Sequence, residues 1–270
     1  MPLPDTARAQ ELPSPGLRAA FPEGKAFKKE PTMNNSIQTL KRWIAESDNI
    51  VFFGGAGVST ESGIPDFRSV DGLYSQKYDF PPETILSHSF FINRPEEFYR
   101  FYHDKMIIEG VKPNRAHTRL AELEREGKLR AVITQNIDGL HQLAGSEKVL
   151  ELHGSTHRNY CMRCSKRYGY EAVSKAEGVP KCDCGGIIRP DVVLYEEGLD
   201  NAVITEAVHF IQNADMLIVG GTSLVVYPAA GLVNYYEGNK LVLINRGATS
   251  YDTNANLLIS DKIGEVFAQV

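Results

Sequence analysis

Ile50-Val51-Phe52-Phe53-Gly54-Gly55-Ala56-Gly57-Val58-Ser59 runs from an unbroken apolar stretch straight into a turn of small residues. An apolar run this short, β-branched and aromatic suits a strand covered on both faces, as in a parallel sheet. Small residues after such a strand let main-chain N–H groups approach a phosphate, and a helix starting there would add its positive end. The dehydrogenase spacing G-x-G-x-x-G is not met, so the glycines alone leave open a tight turn with no ligand.

Three further runs repeat the pattern: Ala131-Val132-Ile133-Thr134, Met216-Leu217-Ile218-Val219 and Leu241-Val242-Leu243-Ile244, each leading into Gly, Asn or Gln. Helical stretches separate them. The arrangement predicts an α/β fold with a doubly wound parallel sheet whose strand ends carry the site loops. Ile37, Leu40, Trp43 and Ile44 give the first helix-like period. Residues 1–32 hold Pro2, Pro4, Pro13, Pro15, Pro22 and Pro31 without a sustained apolar period, and read as a mobile tail; Met33 is an alternative start.

At 270 residues and 42% hydrophobic composition the chain has enough material for a full core and a smaller second module. A net charge of −5 gives no general attraction to nucleic acid or an anionic membrane surface. No apolar run reaches the ~18 residues of a membrane-spanning helix. The stretch from Cys161 to Cys184 is polar and rich in Gly and Cys, and reads as a separate module. The aromatic segment between Pro81 and Pro113 extends that module or lids the cleft.

All four cysteines lie in this stretch, as Cys161-x-x-Cys164 and Cys182-x-Cys184 with 17 residues between the pairs. Two tight pairs suit a closed, structural zinc site of four thiolates better than disulfides, and a reducing cytoplasmic setting follows; unligated cysteines are the alternative.

Beyond the glycines, residues 54–68 carry GAGxSxxSGIPDFR without a departure and so resemble the sirtuins, the Sir2-type NAD-dependent protein deacylases, in particular the bacterial-type deacetylases. Three later blocks resemble the family too: Thr134-Gln135-Asn136-Ile137-Asp138-Gly139-Leu140-His141, Glu151-Leu152-His153-Gly154, and Gly221-Thr222-Ser223-Leu224 with Pro228-Ala229-Ala230. The likeness covers about residues 36–267. It implies a Rossmann-like domain (about 33–80, 114–154 and 191–270) and a small domain (about 81–113 as a helical segment and 155–190 as the zinc module). Cys182-x-Cys184 has one intervening residue where zinc ribbons usually have two, as in some sirtuins.

The resemblance implies NAD as co-substrate and a catalytic set of His153, Asn136 and Asp138. His153 would be the base that activates a ribose hydroxyl, Asp138 would hold the nicotinamide carboxamide, and Asn136 would orient ribose and water. Gly54, Ala56, Gly57, Thr60, Asp66, Phe67, Arg68, Gln135 and Ile137 would complete the nicotinamide and phosphate side. Gly221, Thr222, Ser223, Asn245, Lys262 and Ile263 would take the adenosine side. His117, His141 and His157 read as structural or surface histidines.

Val192, Val193, Leu194 and Tyr195, with Val226 and Tyr227, match the segments that flank an extended acyl-lysine peptide. Tyr195-Glu196-Glu197 replaces the family's more usual Phe-Gly-Glu. Members that remove acidic acyl groups carry Tyr-x-x-Arg; here Tyr99-Arg100-Phe101-Tyr102 puts a tyrosine where that arginine falls, which implies an apolar acyl tunnel. The expectation is a monomeric protein-lysine deacetylase acting on acetylated proteins. Mono-ADP-ribosyl transfer and a non-catalytic NAD-sensing module are the competing readings.

Overall fold

A computed structural model of the chain describes residues 33–66 and 79–270. The expected N-terminal tail and the site residues Phe67 and Arg68 lie outside the described residues. The strands are β1 (Ile50–Gly54), β2 (Leu129–Thr134), β3 (Val149–Glu151), β4 (Gly154–Cys161), β5 (Arg167–Tyr168), β6 (Ile188–Val192), β7 (Met216–Gly220), β8 (Leu241–Ile244) and β9 (Leu257–Ile259). The helices are α1 (Met33–Glu46), α2 (Pro82–Ile85), α3 (His88–Asn93), α4 (Pro95–Lys105), α5 (Arg115–Arg125), α6 (Leu140–Leu143), α7 (Glu171–Ser174), α8 (Asn201–Asn213) and α9 (Ile263–Phe267).

Six strands form one parallel sheet in the order β3-β2-β1-β7-β8-β9. The chain builds outward from β1 to one edge, returns, and builds outward from β7 to the other. The doubly wound expectation is met, and the reversal between β1 and β7 opens a crevice at the carboxyl ends of the strands.

Side chains of successive strand residues point to opposite faces, and both faces are covered. Ile50 and Phe52 pack with Ile37, Leu40, Leu120, Leu123, Val266 and Phe267, from α1, α5 and α9. Val51 and Phe53 pack with Ala207, Ile211, Ala229 and Ala230, from α8 and the 3-10 helix Ala229–Tyr235. This is why β1 reads as a continuous apolar run.

A second sheet, β5-β4-β6, is antiparallel. Its core joins Ile85, Phe91, Phe98, Tyr99 and Tyr102 from α2 to α4 with Cys161, Val173, Cys182 and Ile188. β4 starts at Gly154, immediately after His153. Gly154 has φ +77°, and a Cβ there would lie 2.0 Å from the Asp191 carbonyl oxygen, so only glycine lets β4 pair with β6 at this point.

One expectation fails. Among the described residues no α-helix directly follows the glycine turn; two 3-10 turns do, Ala56–Val58 and Thr60–Ser62. The reason is a non-local clamp. Gly55 N–H donates to the Gly220 carbonyl at 3.3 Å and Gly57 N–H to the Gly221 carbonyl at 2.7 Å, while Gly63 at φ +92° and Pro65 end helical geometry. The Gly57 N–H is therefore committed to protein rather than free for a phosphate.

Candidate functional site

The crevice is a cavity of about 1000 Å³ between the six-stranded sheet and the smaller module. Ala56, Gly57, Thr60 and Asp66 line it beside Gln135, Asn136, Ile137, Asp138 and His153. Gly221, Thr222, Ser223, Asn245, Lys262 and Ile263 form one end, and Val192 to Tyr195 with Val226 and Tyr227 flank it. The four sequence blocks thus meet in one place. Gly54 does not line it: it is buried at the end of β1, where its carbonyl accepts Gln135 N–H at 2.9 Å.

His153 Nδ1 lies 2.9 Å from the Gln135 carbonyl oxygen. A carbonyl only accepts, so Nδ1 carries the proton and the neutral ring keeps its lone pair on Nε2. Burial pushes the His153 pKa below the usual 6.5, and the bond to Gln135 opposes that only in part. The result is an imidazole kept neutral with a basic nitrogen to spare.

Below it sits a polar network with Ser59 at its centre. The Ser59 hydroxyl donates to Asp138 Oδ2 at 2.6 Å and accepts from Asn136 Nδ2 at 3.1 Å. Asp138 Oδ1 accepts Leu140 N–H at 2.9 Å, and Asn136 N–H donates to Thr134 Oγ1 at 3.0 Å. His117 Nε2 approaches Ser59 Oγ at 3.5 Å, and its Nδ1 accepts the Asn114 N–H at 3.3 Å in a capping box at the start of α5. Burial lowers the His117 pKa to about 4, against the pull of Asp138.

Ser59 and His117 were missed by sequence reasoning as site residues. The Ser written into GAGxSxxSGIPDFR was the signal for the first; Asn114-x-x-His117 gave one for the second only as a helix start. His117 and His141 are fully buried behind the site, and His157 is exposed, its Nε2 3.1 Å from the Asp138 carbonyl.

At the end of the cavity formed by Gly221 to Ile263, Thr222 Oγ1 takes the Gln135 side-chain amide at 3.2 Å and Asn245 Nδ2 donates to the Thr222 carbonyl at 3.1 Å. Along the flank from Val192 to Tyr195, Val193 N–H donates to the His153 carbonyl at 3.0 Å, Tyr195 N–H to the Leu86 carbonyl, and the Tyr195 carbonyl accepts His88 N–H. Leu194 N–H goes to Glu197 Oε2 at 2.9 Å, and its carbonyl accepts Glu197 N–H. Among the described residues this leaves the Val193 carbonyl and the Glu196 backbone open to a guest strand.

Glu197 is set by a tight group of partners: Arg189 at 2.5 Å and His88 at 2.6 Å. Burial works against its charge, but Arg189, Leu194 N–H and His88 together hold its carboxyl below the usual range. Glu196 occupies φ +75°, a left-handed conformation that costs a non-glycine residue about 1–2 kcal/mol. Ser89 offsets this, its N–H and hydroxyl each reaching the Glu196 carboxylate at 2.9 Å. Tyr-Glu-Glu therefore stands where a glycine is usual because α3 supplies a cap.

Tyr102 is fully buried, lines the cavity and stacks on Phe98 with centroids 5.6 Å apart. Arg100 is exposed and does not line the cavity. Lys105, one turn beyond Tyr102, also lines the cavity and lies 3.0 Å from Asp104.

Away from the cavity, the sulfur atoms of Cys161, Cys164, Cys182 and Cys184 all lie within 4.8 Å of one another. Cys161 and Cys184 are 3.4 Å apart and Cys164 and Cys182 3.6 Å, too far for disulfide bonds, and all four thiols are free. A tetrahedral Zn²⁺ with ~2.3 Å bonds needs sulfurs ~3.8 Å apart, so the set fits a four-thiolate zinc. Tyr168 hydroxyl donates to Cys182 Sγ at 3.0 Å and holds that thiol at about 6, which favours a thiolate ligand.

Residues 55–228 match the Sir2 family. An NAD-dependent protein deacetylase of Clostridium acetobutylicum is 62% identical over 240 residues, covering 87% of this chain and 98% of that protein. Solved structures are similar as well. A Sir2 protein with a p53 peptide and NAD+ is 44% identical with a TM-score of 0.78, over 87% of this chain and 96% of that one. A Sir2 variant with a deacetylated p53 peptide and an acetyl ADP ribose is 43% identical with a TM-score of 0.80, over the same shares. On this match across most of its length, the chain belongs to the Sir2 family.

Proposed function

We propose that the protein is an NAD-dependent protein-lysine deacetylase, transferring the acetyl group of acetyl-lysine to ADP-ribose with release of nicotinamide. The observation that carries this is the neutral His153, oriented by Gln135 and facing the same cavity as Asn136 and Asp138. NAD supplies an electrophilic ribose carbon when bound. Asp138 holds the nicotinamide amide, and Ser59 and Leu140 N–H fix its two oxygens. Asn136 orients the ribose, and Gln135 is steadied by Thr222. His153 Nε2 then takes a ribose hydroxyl proton, a task suited to an imidazole that stays neutral.

Ala56, Thr60, Asp66, Phe67 and Arg68 serve the phosphates and nicotinamide ribose, Gly57 only leaves room beside them because its N–H is held by Gly221, and Gly221 to Ser223, Asn245, Lys262 and Ile263 take the adenosine half. The acyl-lysine peptide enters as an extended strand between Val192–Tyr195 and Val226–Tyr227. Tyr102 in place of an arginine, with Arg100 outside the cavity, favours uncharged acyl groups. One zinc held by Cys161, Cys164, Cys182 and Cys184 stabilises the small module, whose core includes Cys161 and Cys182. Substrates are acetylated proteins, and the protein acts as a monomer in the cytoplasm without nucleic acid or membrane, a setting that four free thiols support. Among the described residues no helix is long and apolar enough to cross a membrane.

The test is an acetyl-lysine peptide incubated with the protein and NAD, followed by mass spectrometry. Nicotinamide and deacetylated peptide should appear in equal amounts. Nicotinamide release with the peptide still acetylated would overturn the reading in favour of ADP-ribosyl transfer.

A further inference from the structure

GAGxSxxSGIPDFR does not fix positions 60 and 61. The second of them is Glu61, on the 3-10 turn Thr60–Ser62 that follows the glycine clamp. Its Oε2 accepts the Gly264 N–H at 2.6 Å, across 203 residues of sequence. Gly264 belongs to the first turn of α9, where an N–H has no partner within the helix, and its N-cap Lys262 makes no side-chain cap.

The approach is close: a Cβ at Gly264 would lie 2.8 Å from both Glu61 oxygens. Next to it, the Ile263 side chain reaches the end of β7, where a Cβ on Gly220 would lie 2.3 Å from Ile263 Cδ1. Glu61, Asp261, Lys262 and Ile263 all line the large cavity. A carboxylate bordering a site for an anionic dinucleotide is a cost unless it is engaged elsewhere. Here it is engaged by the Gly264 N–H.

We infer that Glu61 is a positioning residue that clasps the adenosine-side wall, residues 261–264, to the phosphate-side turn, and so sets the affinity for the adenosine half of the dinucleotide. This rests on the NAD reading above. Glu61 need not touch the ligand. It acts through Gly264 on the wall that does.

Calorimetry with NAD+, ADP-ribose and nicotinamide mononucleotide tests this on the full chain. Glu61→Ala should weaken NAD+ and ADP-ribose by about 3- to 12-fold, the worth of one hydrogen bond, and leave the mononucleotide within twofold. Glu61→Gln keeps an oxygen acceptor and should recover most of the affinity. In turnover the loss should fall on KM for NAD+ rather than on kcat. Unchanged NAD+ affinity in Glu61→Ala, equal weakening of the mononucleotide, or a Gln variant as weak as Ala would each overturn the clasp. Wild-type protein that binds none of the three would instead overturn the NAD reading itself.

Discussion

His153 has its imidazole proton placed by a main-chain carbonyl, and this decides what the ring can do. With Nδ1–H committed to Gln135, only Nε2 can accept a proton, and burial favours the form able to accept it. A base whose pKa is lowered remains neutral further into acid. The acidic limb of kcat/KM for an acetyl-lysine peptide should therefore be centred below pH 6.5; a limb centred above that would contradict the assigned environment. His153→Ala should lower deacetylation by at least about 100-fold, the usual worth of a general base, while nicotinamide exchange is partly retained. Wild-type turnover in that variant would remove His153 from the role. The sequence placed His153, Asn136 and Asp138 because each sits in a long local string. It did not expose the Ser59–His117 link, which exists only once α5 has packed behind the glycine turn.

At the scale of elements, the clamp between the ends of β1 and β7 explains the glycines better than a phosphate cradle does. Gly221 has φ +59°, and a Cβ there would lie 2.3 Å from Val58 N and 2.6 Å from Gly57 C. Gly63 has φ +92° with nothing within 4 Å of a Cβ. Both replacements strain the backbone, but only one collides. Gly221→Ala should cost roughly 3 kcal/mol or more and Gly63→Ala about 1–2 kcal/mol, read as urea midpoints. Equal costs would show that the turns do not interlock as described. β1, β2, β7 and β8 were legible as continuous apolar runs, whereas β3 and β9 are three-residue edge strands, too short to show a pattern. The expected helix after Gly57 failed because a local signal met a long-range partner. In the small module, Cys161 and Cys182 belong to the same core as Phe91 and Phe98. Removing zinc with a chelator should therefore release the amides of β4 to β6 to hydrogen exchange while β1, β2 and β7 stay protected. Retained protection in β4 to β6 after metal loss would show that the thiolate cluster is not what holds the module.

The whole molecule was legible in outline because its two layers follow from strands apolar on both faces. What the sequence concealed is how the layer beneath the site is charged. His117 and His141 lie there fully buried, ring centroids 4.7 Å apart, and among the described residues neither nitrogen of His141 has a hydrogen-bond partner. Burial lowers His117 to about 4 and His141 to about 3, His117 adding to the effect on its neighbour. Both stay neutral in the fold, while in the unfolded chain they take up protons below about pH 6.5. The unfolded state then binds more protons, so stability is full above pH 6.5 and falls as the pH drops towards those folded values. Each histidine contributes a slope of about 1.4 kcal/mol per pH unit once well below 6.5. Between pH 7 and 5.5 most carboxylates remain ionised, so urea unfolding across this window isolates the histidines. His141→Phe preserves the ring against Phe52, 6.1 Å away, and removes one proton acceptor. The variant should lose markedly less stability than wild type between pH 7 and 5.5, with little change at pH 7. An unaltered pH dependence in His141→Phe would mean that this ring is not held neutral in the core.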